Sequence, residues 1–152
     1  MSWIACAIMI GTVLISWYVD SSVVLRMLKE RSAAATAWFA AVEAAHDHMV
    51  ASKLMELEVI RTLHNSHVET DDAEKLIARF VLLSLDDTLA DEAANLAPSL
   101  AAGDAIHMAS ALRVGGPITV VTHDAQMAAA ARQLGLAVLD PVTDDPTRPP
   151  VA

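Results

Sequence analysis

Cysteine is nearly absent. Cys6 stands alone among 152 residues, so no internal disulfide can form and a cysteine-cluster zinc site is excluded. A reducing, cytoplasmic compartment suits such a chain. Glycine is scarce too, at five residues in an alanine-rich composition that is 55% hydrophobic, which excludes fibrous and disordered classes and fits a helix-heavy packed protein. Bases are few: ten against nineteen acids, a formal charge of −9. That balance disfavours long-range attraction to nucleic acid unless divalent cations neutralise part of the acid. No segment repeats at a fixed period. A membrane-length apolar run is also missing. Residues 3–19 carry no charge, but Gly11, Thr12 and Ser16 interrupt them, and the stretch stops short of the ~20 apolar residues a spanning helix needs. No basic residue precedes it, as one would in a secretory signal, so no membrane partner is expected.

What remains is one domain's worth of chain, long enough to bury about two thirds of its unfolded surface. We divide it into an apolar lead over residues 1–13, a folded domain over 14–141 and a loose proline-rich tail over 142–152. Met9 and Val13 are alternative starts for the natural chain. Within the domain, apolar runs predict strands over residues 14–19, 48–51, 81–85, 118–123 and 137–139, the 81–85 strand being buried. Between them, helices are predicted with Ser21-Ser22 capping the first, residues 32–45 forming the second and Ser52 capping the third, whose apolar positions are Leu54, Leu57, Ile60 and Leu63. Glu69-Thr70-Asp71-Asp72 opens a fourth helix, and residues 88–96, 102–113 and 124–134 form three more, the last stopped by Gly135. Strands alternating with helices imply an α/β fold, a three-layer α/β/α sandwich around a mostly parallel sheet.

Four acids stand where packing has no use for a carboxylate. Asp20 and Asp124 close the apolar runs at 14–19 and 118–123, Asp104 opens a helix behind Gly103, and Glu58 interrupts a helix between Leu57 and Val59. If the strands are parallel neighbours, these side chains converge at their carboxyl ends, where α/β folds collect ligands. Crowded carboxylates repel one another unless cations lie between them, and hard oxygen ligands select Mg²⁺ or Mn²⁺. Such ions suit in-line hydrolysis of a phosphodiester. Each acid also has a plainer reading. Asp20 is a turn residue, Asp124 an N-cap, Asp104 a complement to a helix dipole, and Glu58 a partner for Arg61. Arg26, Lys29, Arg31, Lys53 and Arg61 could supply a local basic rim.

The ordered segments Val19-Asp20-Ser21-Ser22, Glu58-Val59-Ile60-Arg61, Gly103-Asp104-Ala105-Ile106-His107 and Val121-Thr122-His123-Asp124 resemble the PIN-domain family, in particular its VapC-type toxins of toxin-antitoxin pairs. The resemblance runs over residues 15–141. It implies a Mg²⁺-dependent endoribonuclease with catalytic residues Asp20, Glu58, Asp104 and Asp124. Asp20 and Asp104 would be the principal metal ligands, Asp124 would bind directly or through water, and Glu58 would orient or deprotonate the attacking water. Ser22 and Thr122 would support the carboxylates, and His107, one turn after Asp104, would touch substrate or brace the site. A cognate antitoxin, an RNA substrate and a homodimer are the partners it implies. The segment Leu100-Ala101-Ala102-Gly103 and the apolar lead depart from the family's pattern without removing a carboxylate.

Two rivals remain. An aspartyl-phosphate phosphatase would carry a second aspartate two residues after the first, where this chain has Ser22. A non-catalytic PIN-like module would bind RNA or a partner without cutting. The pairs His46/His48 and His64/His67 have zinc-like spacing but no cysteine partner, and read as surface or loop residues.

Overall fold

A computed structural model describes residues 15–96 and 99–143 of the chain. The apolar lead, Leu14 and the tail from residue 144 lie outside the described residues. Apolar runs too short for buried helices become five parallel strands: β1 (Ser16–Val19), β2 (His48–Ser52), β3 (Val81–Leu83), β4 (Ile118–Val121) and β5 (Ala137–Leu139). The described helices are α1 (Ser21–Leu28), α2 (Ala33–Ala44), α3 (Lys53–Asn65), α4 (Asp71–Ile77), α5 (Asp87–Ala94), α6 (Ala102–Val114) and α7 (Ala125–Gln133). The sheet order is β3-β2-β1-β4-β5. The chain winds outward from β1 to β2 and β3, then crosses back to lay β4 on the other side of β1. In open α/β sheets such a reversal marks a crevice, here at the carboxyl ends of β1 and β4.

Alternation along each strand builds two cores. Trp17, Val19, Met49, Ala51, Val121 and Leu139 face α1 to α4, meeting Val23, Trp38, Phe39, Val42, Met55 and Val59. Tyr18, Val50, Val120 and Val138 face the opposite way, against Met108 and Ala111 of α6 and Met127, Ala130 and Ala131 of α7. Helices on both faces of a parallel sheet give the three-layer sandwich that the alternation of elements implied.

Several local expectations need correction. Asp20, and not Ser21-Ser22, is the N-cap of α1, accepting from the Ser22 N–H. The strand at 81 ends at Leu83 and pairs only with β2, so it is an edge: Val81 and Leu85 are exposed. In α3 the buried stripe is Met55, Val59 and Leu63, while Leu57 points to solvent and Leu54 and Ile60 are only partly covered. Ser52 does cap that helix, its Oγ accepting from the Leu54 N–H at 3.0 Å. Gly135 ends α7 as expected, at φ +78°, which lets the Leu136 N–H reach back to the Ala131 carbonyl at 2.9 Å. Among the described residues no helix is long and apolar enough to cross a membrane.

Candidate active site

Asp20 leaves β1 at the crevice, its backbone N–H still donating to the Val121 carbonyl at 3.2 Å. Its side chain is buried, 3% exposed, and three donors hold it. The Ser22 N–H and Oγ donate to Oδ1 at 3.1 and 2.6 Å, and the Thr122 Oγ1 donates to Oδ2 at 2.7 Å. Burial pushes this carboxyl above the usual range, and the bonds from Ser22 and Thr122 and the neighbouring His107 only partly oppose it. A buried acid offsets that cost only where something stabilises its charge.

The residues after β4 are knitted to the same acid. Thr122 and His123 do not extend the strand. Instead the Thr122 Oγ1, while donating to Asp20, accepts from the Asp124 N–H at 3.0 Å, and the His123 N–H donates to the Ser22 Oγ at 3.0 Å. This cross-strand lattice ties the backbone N–H of Asp124 to the Asp20 carboxylate through the Thr122 hydroxyl. Asp124 itself is exposed and caps α7, its Oδ1 accepting from the N–H groups of Gln126 and Met127 at 2.8 and 3.3 Å. The plain capping role is therefore real, and it leaves Oδ2 with no hydrogen bond among the described residues.

Asp104 lies half-buried in the first turn of α6 and makes no hydrogen bond or ion pair among the described residues. Its carboxyl is pushed up first by burial, then by the negative charge of Asp124; Glu58 adds to the rise while His107 opposes it. Asp104 thus feels two of the other three acids, Asp124 and Glu58, which links α6 electrostatically to α3 and to the start of α7.

Glu58 does not pair with Arg61. Its Oε1 lies 2.6 Å from the Nε2 of His107, whose Nδ1 lies 2.8 Å from the hydroxyl of Tyr18. The His107 side chain is only 2% exposed, which of the two expectations for it favours bracing the site over touching substrate. Residues that sequence reasoning missed are Tyr18, wholly buried on β1, and His123 with Asp140, joined Nδ1 to Oδ1 at 2.6 Å. Only the polar atoms inside otherwise apolar runs hinted at them.

The basic rim is reduced. Arg26 and Lys53 spend their charges on Glu30 and Glu56 in exposed pairs, leaving Lys29, Arg31 and Arg61 without ion pairs among the described residues. His46, His64 and His67 are exposed and His48 is half-buried on β2; among the described residues they form no zinc cluster. Among the described residues no group of three or more His, Cys, Asp or Glu side chains stands close enough to cage a metal, the four acids included. The donor set would suit a hard divalent cation that takes one or two carboxylates and keeps several waters, as Mg²⁺ does.

Comparison with known proteins bears on the family and the fold. The PIN domain model matches residues 17–133. The ribonuclease VapC46 of Mycobacterium tuberculosis is 34% identical over 127 residues, spanning 82% of this chain and 96% of that one. Among solved structures, a toxin-antitoxin complex from Klebsiella pneumoniae superposes with a TM-score of 0.63 at 18% identity, covering 82% of this chain and 96% of that chain. VapBC-1 from nontypeable Haemophilus influenzae gives 0.63 at 15% identity, covering 85% and 100%. At those identities the two structures speak for the fold alone.

Proposed function

The chain belongs to the PIN domain family, and from that premise we propose that it is a VapC-like endoribonuclease, the toxin of a toxin-antitoxin pair, dependent on Mg²⁺ or Mn²⁺. The observation that carries the reading is Asp20: a carboxylate sealed at the carboxyl end of the central strand and held by three donors, in a fold whose Asp104, without a hydrogen bond or ion pair among the described residues, already feels Asp124 and Glu58. Such an arrangement is unfavourable in isolation and becomes favourable when a doubly charged ion shares the space.

Asp20 and Asp104 are the ligands in this reading, and the free oxygen of Asp124 reaches the ion directly or through water. When bound, the ion supplies Lewis-acid stabilisation of a phosphodiester and of the charge that develops on it. Ser22 and Thr122 hold the Asp20 oxygens in one orientation, so that no reorganisation is required during reaction. Glu58, partly exposed with Oε1 tied to His107 and Oε2 without a hydrogen bond among the described residues, takes the proton of the attacking water in this reading. RNA is the substrate we assign. Its phosphates approach a chain of charge −9 only where acids are neutralised, which makes bound cation and substrate mutually dependent. A cognate antitoxin presenting a basic group to the carboxylates would hold the enzyme silent. The exposed Leu57, Val81 and Leu112 offer apolar surface for the antitoxin and for a homodimer.

Incubating purified, antitoxin-free protein with total RNA tests the reading. Mg²⁺ is expected to yield discrete fragments that vanish with EDTA and fall by roughly a hundredfold or more in Asp20→Asn. Fragments undiminished in the variant would remove Asp20 from the chemistry. RNA binding without fragments would favour a non-catalytic module.

A further inference from the structure

We infer that His107 is a positioning residue that aims the Glu58 carboxylate, and that Tyr18 anchors His107 in turn, so that β1 sets the base on α3 through α6. The inference rests on the nuclease reading above for the role of Glu58. Its geometry stands independently of that reading.

A glutamate on a solvent-facing helix samples many rotamers, and its oxygens point nowhere in particular. Glu58 differs. One oxygen is caught at 2.6 Å by His107 Nε2, while the other has no hydrogen bond among the described residues. Half of the carboxylate is thereby fixed and half left available. The His107 ring sits in the second core, edge-on to Tyr18 at 6.0 Å between centroids and 70° between planes, and is itself shut away from solvent. Enclosed in this way, it cannot act on RNA directly. What it can do is hold a carboxylate, and it can do so in one orientation only if its other nitrogen is also engaged.

The Tyr18 hydroxyl meets that requirement at 2.8 Å from Nδ1. A phenol that donates to Nδ1 leaves the proton of a neutral imidazole on Nε2, where it donates to Glu58. Tyr18 is wholly buried, and at neutral pH a phenol carries an O–H that must find an acceptor there. Ser110 donates its own proton to the Ile106 carbonyl at 2.8 Å. The chain Tyr18–His107–Glu58 thus runs from strand to helix to helix with one direction of donation throughout. It explains why a histidine occupies a buried position in a helix whose other buried residues are Ala105, Met108, Ala109, Ala111 and Ser110, the last satisfied by its own helix backbone.

The test uses full-length protein in two measurements. In metal-free protein labelled with ¹⁵N-histidine, long-range ¹H–¹⁵N spectra are expected to show His107 protonated on Nε2 and bare on Nδ1. Tyr18→Phe should mix the tautomers and Glu58→Gln should shift the Nε2 signal alone. A proton on Nδ1 in the parent, or spectra indifferent to Tyr18→Phe, would overturn the inference. In RNA cleavage with Mg²⁺, His107→Leu should lower kcat roughly a hundredfold while KM stays within about twofold. His107→Gln, which returns an amide donor near the place of Nε2, should recover most of the loss, and it remains informative if the leucine variant misfolds. If Glu58→Ala is dead while His107→Leu and His107→Gln both keep the parental kcat, positioning is wrong and the nuclease reading survives. If the parent cuts no RNA, the nuclease reading falls, and the tautomer measurement still decides whether His107 holds Glu58.

Discussion

At the scale of single residues, Asp20 does two jobs that pull against each other. It caps α1 through the Ser22 N–H, which favours a charged oxygen, and it is sealed from water, which opposes one. Burial wins, since the carboxyl is pushed up from 3.8 despite its three donors. The consequence for stability has a definite sign. As pH rises from 3.8 through the raised value, the unfolded chain releases this proton before the folded one does, so the folded state loses stability across that window. In EDTA, the melting temperature of Asp20→Asn relative to the parent is therefore expected to climb as pH rises above about 3.8. A gap that stays constant with pH would show that Asp20 carries no burial penalty. Asp104 adds to the same window, being raised by burial and by Asp124, so the asparagine variant should lose only part of the parent's pH dependence.

At the scale of elements, α3 shows where a sequence stops being sufficient. Leu54, Leu57, Ile60 and Leu63 recur at helical spacing, and so do Met55, Val59 and Leu63; propensity and periodicity cannot choose between the two stripes. The choice is made by the Ser52 cap and the docking of β2, which turn Met55 and Val59 into the first core and leave Leu57 half in water. Met55→Ala is accordingly expected to cost about 2–5 kcal/mol in denaturant unfolding, and Leu57→Ala no more than about 0.5. Equal costs would mean that the helix is turned the other way. The same limit shortened β3. An apolar run reads as buried, but a strand with one neighbour exposes half of what it carries. By contrast, the caps at Ser52 and Asp124 and the stop at Gly135 were legible, because each depends on contacts within a few residues.

At the scale of the whole molecule, strand order turns separated residues into one place. Alternating strands and helices made the parallel sandwich legible, and carboxylates at element ends marked a candidate site. Invisible in the sequence were the partners that hold it. Tyr18 meets His107 across 89 residues, His107 meets Glu58 across 49, and Thr122 meets Asp20 across 102. Contacts so distant follow from the β3-β2-β1-β4-β5 order, which brings β1 and β4 side by side, and from α6 lying over the Tyr18 face of the sheet. The net charge of −9 belongs to this scale too, since a molecule so acidic concentrates cations around its surface before any specific site selects one. Whether that selection happens at the crevice is directly observable by anomalous diffraction from crystals grown with Mn²⁺. A peak within bonding distance of Asp20 and Asp104, absent from Asp20→Asn crystals, is the expected result. Manganese found only elsewhere, or a crevice that stays empty at saturating Mn²⁺, would contradict the claim that these acids gather for a cation.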